Sequence, residues 1–324
     1  ELNSSHQGYS LPPTPGAPRF VTGRLGVQWD PATYERTGRL SVAEVTPLGP
    51  LALAHVAPGD EIVAVDGVPV DARPDIDALL ENTIGKRTTL RVAPRGEVSA
   101  ARTVVVQPVD LATEQGLLYR AWVDGRRGYV ERISGGRLGY VHIFDMGEES
   151  LARLFSDLDV QNRARAGVVI DVRNNEGGFV DPYAIDVLTR REYLRFVQRN
   201  GLDAPERTEL GERALDRPTV LVTNEHSLSD AENFTEAYRA LHAGPVVGEP
   251  TAGWIIFTGA RTLADGSTIR LPATRVLTSA GVDLELHPRP VDVRVANPPG
   301  AAERGDDPQL DAAVRELLKH LGRR

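Results

Sequence analysis

Residues 167–180 read GVVIDVRNNEGGFV, and this stretch indicates the fold class of the second half of the chain. Its first six residues form an almost continuous apolar run, which is typical of a strand buried on both faces of a parallel sheet. Similar runs occur at residues 139–143, 219–223 and 245–249. The four runs therefore predict four buried strands.

Helical patterns lie between the predicted strands, at residues 150–158, 182–197 and 229–244. Strands that alternate with helices across short loops are the signature of crossover units and a largely parallel sheet. We therefore expect an α/β sandwich over residues 111–324.

The end of the chain adds two further elements. Residues 255–278 have the pattern of a β-hairpin, in which Asp265-Gly266 is a strong two-residue turn signal. Residues 308–321 show an amphipathic pattern that predicts a last helix.

The first third of the chain has a different pattern. Short alternating segments separated by Gly, Pro and Asp turns fill residues 18–110 and predict a small β-rich domain. Within it, residues 74–84 carry apolar side chains at helical spacing after a Pro-Asp start signal, which predicts one helix. Residues 1–17 are polar and then rich in proline, so we expect an N-terminal tail that ends a preceding region absent from this chain.

The composition of the chain argues against several classes of function. The 324 residues suffice for two compact domains, and 41% hydrophobic with 25% charged residues is the usual balance of a soluble globular protein. A formal net charge of -8 disfavours nonspecific binding to nucleic acid or an anionic membrane, and no apolar run approaches the ~18 residues of a membrane span. The absence of cysteine excludes disulfides, thiolate catalysis and cysteine-based metal sites. Because the sequence begins at Glu1 without the features of a signal peptide, we expect a fragment or a processed product.

Two loops after predicted strands carry residue types suited to catalysis. Residues 171–180 contain two asparagines and two glycines, so their backbone N–H groups suit an oxyanion cradle, but from this segment alone an ordinary strand-to-helix turn with glycines for packing is the favoured interpretation. Residues 222–234 place Ser229 and Asp230 at the start of a predicted helix, where the helix dipole favours a nucleophilic serine and its oxyanion. A capping box over residues 229–232 is the alternative interpretation.

A nucleophilic serine needs a base, and histidine is the better candidate because Lys86 and Lys319 are the only lysines. Spacing alone does not select one of the seven histidines. The candidates are His142 in a strand pattern, His226 in a turn, His242 and His320 at helix ends, His287 in a proline-rich loop and His6 in the polar tail.

Several segments in the same order resemble the C-terminal half of tricorn peptidases, which are relatives of the C-terminal processing peptidases. GRLGV at 23–27 and APGDEIVAVDGVPV at 57–70 are similar to a PDZ domain. GRLGYVHIFDM at 136–146, VIDVRNNEGGFV at 169–180 and TNEHSLSDAENF at 223–234 resemble the family's catalytic core. The resemblance implies a small PDZ-like domain followed by an α/β core of the processing-peptidase type.

The resemblance also implies a catalytic tetrad without a metal or organic cofactor. The related processing peptidases use a lysine base, and Trp254 stands at that position here, which favours histidine. In the implied site, Ser229 is the nucleophile, His6 is its base, Ser5 bridges His6 to Glu285, and the N–H groups of Gly178 and Asp230 hold the oxyanion.

Substrate contacts are implied at Gly177 and at Phe196. The best-known tricorn peptidase has an acidic residue near the position of Phe196 that selects basic side chains, whereas this chain reads TRREYLRFV at 189–197, so the resemblance does not extend to a preference for basic substrates. The loop Gly23, Arg24, Leu25 and Gly26 would bind a peptide carboxylate. Tricorn-like enzymes trim oligopeptides in the cytoplasm as homo-oligomers, and the resemblance implies a hexamer. The alternative function is a non-catalytic scaffold whose PDZ-like domain captures peptide C-termini by strand addition.

Overall fold

The structure is a computed structural model that describes residues 4–12, 21–70, 75–191, 193–197, 199, 201, 204–205 and 215–322. The chain divides into two compact units. The larger unit comprises Glu1–Pro13 and Arg126–Arg324, and the smaller unit comprises Thr14–Gly125.

The strands and helices of the described residues are numbered here in chain order. The strands are β1 (Gly8–Ser10), β2 (Val27–Trp29), β3 (Leu40–Val45), β4 (Glu61–Val65), β5 (Val68–Pro69), β6 (Thr88–Ala93), β7 (Arg102–Val106), β8 (Leu138–His142), β9 (Gly167–Asp171), β10 (Arg195–Phe196), β11 (Ala204–Pro205), β12 (Thr219–Thr223), β13 (Val246–Gly248), β14 (Phe257–Thr262), β15 (Thr268–Thr274) and β16 (Val293–Arg294). The helices are α1 (Pro31–Thr37), α2 (Pro50–Leu53), α3 (Ile76–Leu79), α4 (Leu111–Ile133), α5 (Glu148–Ser156), α6 (Asp181–Thr189), α7 (Asp230–Ala240) and α8 (Pro308–Leu321). Short 3-10 turns at Val98–Ala100 and Ala302–Arg304 and a π-helical turn at Asp157–Gln161 complete the set.

The smaller unit is built on an antiparallel sheet in the order β2-β3-β4-β6-β7, with β5 paired to β4. Alternate strand residues and the short helices enclose a core that includes Leu25, Ile62, Leu90 and Val92. This is the predicted β-rich unit with a helix inserted between strands.

The helix predicted over 74–84 is shorter in the structure. The α3 helix begins at Ile76, after Asp75 accepts a hydrogen bond from the Asp77 N–H, and it ends at Leu79. The chain then leaves the helix because Asn82 adopts a positive φ of 57° and donates its N–H to the Val21 carbonyl. Residue 74 lies outside the described residues.

The larger unit is built on a parallel sheet in the order β16-β13-β12-β9-β8. Every residue of β8, β9 and β12 is buried, which explains why the sequence shows continuous apolar runs there rather than alternation. The four predicted strands are therefore confirmed, and the fold class is the predicted combination of a PDZ-like unit and an α/β core.

The pattern over 182–197 predicted a longer helix than the structure contains. The α6 helix ends at Thr189, because Arg190 takes an extended conformation with ψ 142°. Arg195 and Phe196 then pair with Pro205 and Ala204 as the short strands β10 and β11.

A second sheet of the larger unit, in the order β1-β15-β14, includes the start of the chain. The β14 and β15 strands form the predicted hairpin around Gly266, whose φ is +83°. Residues 8–10 were assigned to a tail from their composition, but they form the edge strand β1 and pair antiparallel with β15, with Gly8 opposite Arg270. This pairing fixes the position of the preceding residues, which include Ser5 and His6.

Candidate active site

Ser229 lies at the junction between the loop after β12 and the start of α7. Its backbone has φ 57° and ψ -125°, a conformation that non-glycine residues rarely adopt and that is often found at functional sites. The Ser229 side chain makes no capping hydrogen bond to the helix, so the hydroxyl is not used as the capping-box interpretation required. The Ser229 N–H donates to the Trp254 carbonyl at 2.8 Å, which anchors the strained residue to the next segment of the site.

The glycine-rich loop after β9 packs directly against Ser229. A β-carbon on Gly177 would lie 2.5 Å from Cβ of Ser229 and 2.8 Å from the Asp230 nitrogen, so only glycine fits there. The loop is held by the N–H of Met146, which donates to the Gly177 carbonyl, and by the N–H of Phe179, which donates to the Met146 carbonyl, both at 2.9 Å.

Two main-chain N–H groups at this junction are unpaired. Neither the N–H of Gly178 nor that of Asp230 has an acceptor in the part of the chain that the structure describes. Asp230 is the first residue of α7, where the helix leaves its N–H groups unsatisfied and its dipole favours negative charge. The loop and the helix start can therefore stabilise an oxyanion next to Ser229.

Ser5, His6 and Glu285 form a chain of hydrogen bonds across 280 residues of sequence. The Ser5 hydroxyl contacts Nδ1 of His6 at 2.7 Å and donates to Oε2 of Glu285 at 3.2 Å, while the Ser5 N–H donates to Oε1 at 2.5 Å. The carboxylate thus orients the imidazole through an intervening hydroxyl.

Opposing effects set the pKa values of this acid and base. Burial would raise the pKa of Glu285, but hydrogen bonds from the Ser5 N–H and hydroxyl and from the N–H groups of Ile255 and Ile256 lower it overall. Partial burial lowers the pKa of His6, the positive charge of Arg270 lowers it further, and the negative charge of Glu285 opposes both. His6 is therefore biased towards the neutral form that a general base needs.

The segment 254–256 links the acid–base chain to the serine. Its Trp254 carbonyl accepts the Ser229 N–H, and the N–H groups of Ile255 and Ile256 donate to Oε2 of Glu285 at 2.9 and 3.2 Å. The two halves of the predicted site are thus held by three consecutive residues.

The other histidines have different surroundings. His142 is buried with its Nε2 3.0 Å from the Arg173 carbonyl, and burial lowers its pKa. The exposed ring of His287 contacts the Glu285 main-chain carbonyl, not its carboxylate.

Phe196 and the loop at Gly23–Gly26 are the other contact residues that the resemblance implies. Phe196 lies on β10 and is 54% exposed. In the smaller unit, the N–H groups of Gly23, Arg24 and Gly26 donate internally, and Leu25 is buried. Their acceptors are the Leu80 carbonyl, the Val109 carbonyl and the Glu114 carboxylate. These three N–H groups are already satisfied without a peptide carboxylate.

The sequence did not indicate Glu232 as a site residue, because its position three residues after Ser229 matches a helix capping box. Its buried carboxylate instead contacts the segment 251–254.

Both parts of the chain match models of known protein families. Residues 137–295 match the model of Peptidase family S41, and residues 40–110 match the model of the tricorn protease PDZ domain. The chain belongs to peptidase family S41. The match to the tricorn PDZ model further identifies it as a tricorn-type member.

Individual relatives agree with this assignment. The chain is 40% identical over 279 residues to tricorn protease homolog 1 of Streptomyces coelicolor, which covers 84% of this chain and 25% of the relative. It is 30% identical over 268 residues to the tricorn protease of Thermoplasma volcanium, covering 81% of this chain and 25% of the relative. The crystal structure of the tricorn protease superposes with a TM-score of 0.81 at 26% identity, covering 98% of this chain and 31% of that one. The chain spans about a quarter of the length of these curated relatives.

Among the described residues there is neither a helix that could span a membrane nor a cluster of side chains that could hold a metal ion. None of their helices combines the length and apolar character needed to cross a bilayer. They also contain no cluster of three or more His, Cys, Asp or Glu side chains placed to hold a metal ion.

Proposed function

We propose that this chain is a serine peptidase that cleaves short peptides through an acyl-enzyme on Ser229. The observation that carries the proposal is the connection of Glu285, Ser5 and His6 to the strained Ser229 through residues 254–256. This connection supports the proposal, because nucleophilic catalysis requires an oriented base and a serine held in a fixed relation to each other.

In the first half-reaction, Oγ of Ser229 attacks the carbonyl carbon of the scissile bond, and His6 takes the hydroxyl proton. Because Nδ1 of His6 is engaged with Ser5, Nε2 is the atom that accepts this proton. The carbonyl oxygen becomes an oxyanion that the N–H groups of Gly178 and Asp230 stabilise.

Collapse of this intermediate breaks the C–N bond, and the leaving amine takes the proton from His6. The ester on Ser229 is then attacked by water, whose proton passes to His6 and returns to Ser229 when the acid product leaves. Glu285 stabilises the charged imidazole through Ser5 in both steps.

The substrates and setting are proposed from the tricorn-type relatives. We expect trimming of oligopeptides rather than cleavage of folded proteins, in the cytoplasm and within a homo-oligomer such as a hexamer. Gly177 and Phe196 remain the proposed substrate contacts. The loop at Gly23–Gly26 remains the proposed carboxylate site of the PDZ-like unit, and binding there requires the N–H groups of Gly23, Arg24 and Gly26 to exchange their present acceptors for the carboxylate oxygens.

A fluorophosphonate probe tests the nucleophile. We expect mass spectrometry to place the label on Ser229, and Ser229→Ala to abolish both labelling and turnover of a peptide library. Ser99→Ala, at an exposed position of the smaller unit, is the matched control and should label as the parent does. Equal labelling of the parent and Ser229→Ala would overturn the assignment.

A further inference from the structure

Glu232 is a fully buried carboxylate in the first turn of α7, three residues after Ser229. Its Oε2 accepts hydrogen bonds from the Thr251 hydroxyl at 2.6 Å and from the Gly253 N–H at 2.7 Å. Its Oε1 accepts one from the Trp254 N–H at 2.6 Å. A buried charge is tolerated only when such partners replace water.

The segment that Glu232 holds contacts each part of the proposed catalytic machinery. The Ala252 N–H donates to the Ser227 carbonyl at 3.0 Å, and the Trp254 carbonyl accepts the Ser229 N–H. On the other side, the Leu286 N–H donates to the Gly253 carbonyl at 2.7 Å, next to Glu285.

We infer that Glu232 is a positioning residue. By fixing residues 251–254, it holds the nucleophile and the acid–base chain in their positions relative to each other. The inference rests on the proposed function of Ser229 and Glu285. Glu232 touches neither substrate nor reacting atoms in this role, and it acts through the hydrogen bonds that its carboxylate accepts from the Thr251 hydroxyl and from the main chain of the segment.

The carboxylate form is required by the donors that surround it. An ionised carboxylate only accepts hydrogen bonds, and all three contacts to Glu232 come from donors. A glutamine would turn its own NH₂ towards one of these donors and leave that donor unpaired. The segment would then shift, and shifts of about 1 Å near a reacting centre lower rates by about a hundredfold.

The test compares Glu232→Gln with Glu236→Gln, one turn further along the same helix. Glu236 pairs with Arg289 at 3.1 Å, and among the described residues its carboxylate has no hydrogen bond to residues 251–256. For Glu232→Gln we expect kcat and the rate of fluorophosphonate labelling to fall about tenfold to a hundredfold, with KM within about twofold of the parent. Glu236→Gln should match the parent in all three.

A second pair of variants covers the case in which Glu232→Gln does not fold. Thr251→Val removes one of the three donors, whereas Thr251→Ser keeps the hydroxyl. We expect Thr251→Val to lower kcat and the labelling rate without changing KM, and Thr251→Ser to restore both.

The outcomes separate this inference from the proposed function. A parent protein that is labelled on Ser229, with Glu232→Gln or Thr251→Val labelled at the parent rate, overturns the positioning role alone. A parent protein that is not labelled on Ser229 overturns the proposed function, and the positioning role with it.

Discussion

Gly178 lies so close to Met146 that a β-carbon on Gly178 would overlap the Met146 carbonyl carbon and oxygen. The two residues are paired as an isolated parallel bridge, and Gly178 has a φ of +157°. Because the clash would be with main chain, no side-chain rotation relieves it. The bridge therefore fixes the direction of the Gly178 N–H, which has no acceptor among the described residues.

Gly178→Ala should displace this N–H and weaken the oxyanion site. Removing one oxyanion donor typically lowers kcat by about 10²–10³-fold, and we expect a loss in that range in peptide turnover and in fluorophosphonate labelling. Gly116→Ala on the exposed face of α4, where a β-carbon meets open space, is the control and should leave both unchanged. An active Gly178→Ala would show that this N–H has no part in the reaction.

Arg270→Gln should move the acid limb of the pH–rate profile to higher pH. Burial is the main cause of the lowered pKa of His6, and the Arg270 charge is the second. Without that charge the pKa of His6 rises, so a larger fraction of the base is protonated at each acidic pH. Arg261→Gln, on the neighbouring strand β14, should leave the limb in place. Added salt should reduce the difference between the parent and Arg270→Gln, and a limb that moves to lower pH contradicts the prediction.

The parent protein should become less stable as the pH rises, and Asp181→Asn should reduce this decrease. Burial, a hydrogen bond to Asp230 and the Asp230 charge raise the pKa of Asp181 to about 8. A folded-state pKa above the unfolded value contributes stability below the unfolded pKa, and this stability is lost as pH rises towards about 8. The neutral amide of asparagine does not titrate. Urea unfolding at about pH 5 and about pH 9 should therefore show a smaller decrease in the free energy of unfolding for Asp181→Asn than for the parent.

The control for this measurement is Asp186→Asn on the same helix, because Asp186 is exposed and pairs with Arg190. It should retain the pH dependence of the parent. The position of Asp181 also connects the effect to the site, since its N–H donates to Oδ2 of Asp230 at 3.0 Å and the Asp230 N–H is a proposed oxyanion donor. An identical pH dependence in the parent and Asp181→Asn would exclude titration of Asp181 in this range.

The parallel core was predictable because burial on both faces leaves a strong local pattern. Strand β12 and helix α8 have the residue bounds that the sequence predicted. The helix predicted over 182–197 is longer than α6, because apolar residues beyond Arg190, such as Phe196 and Val197, continue the helical spacing in the sequence. In the structure these residues are exposed. An apolar residue at helical spacing does not by itself show that it is buried.

The site was less predictable than the core because its contacts are long-range. The pairing of β1 with β15 and the bond between Ser5 and Glu285 join the two ends of the sequence, and composition near His6 carries no sign of either. The assignment of Ser5 and His6 therefore depended on the family resemblance. Glu232 matched a capping box locally, and only the folded position of residues 251–254 showed where its carboxylate points.

Arg173→Met should destabilise the larger unit strongly. The buried Arg173 guanidinium bonds Asp171 at 2.7 Å and both Asp307 and Gln309 at 3.0 Å, so it joins the end of β9 to the start of α8. Burial would raise the pKa of Asp171, but the Arg173 charge lowers it overall, so the buried Asp171 carboxylate depends on Arg173 as its charge partner. Removing one partner of a buried ion pair costs about 3–5 kcal/mol, because a charge is left buried and uncompensated.

Arg304→Met breaks an exposed pair with Asp306 and should change the free energy of unfolding by no more than about 0.5 kcal/mol. Urea unfolding followed by circular dichroism compares the two variants, and equal midpoints would mean that the Arg173 network contributes no more than a surface ion pair.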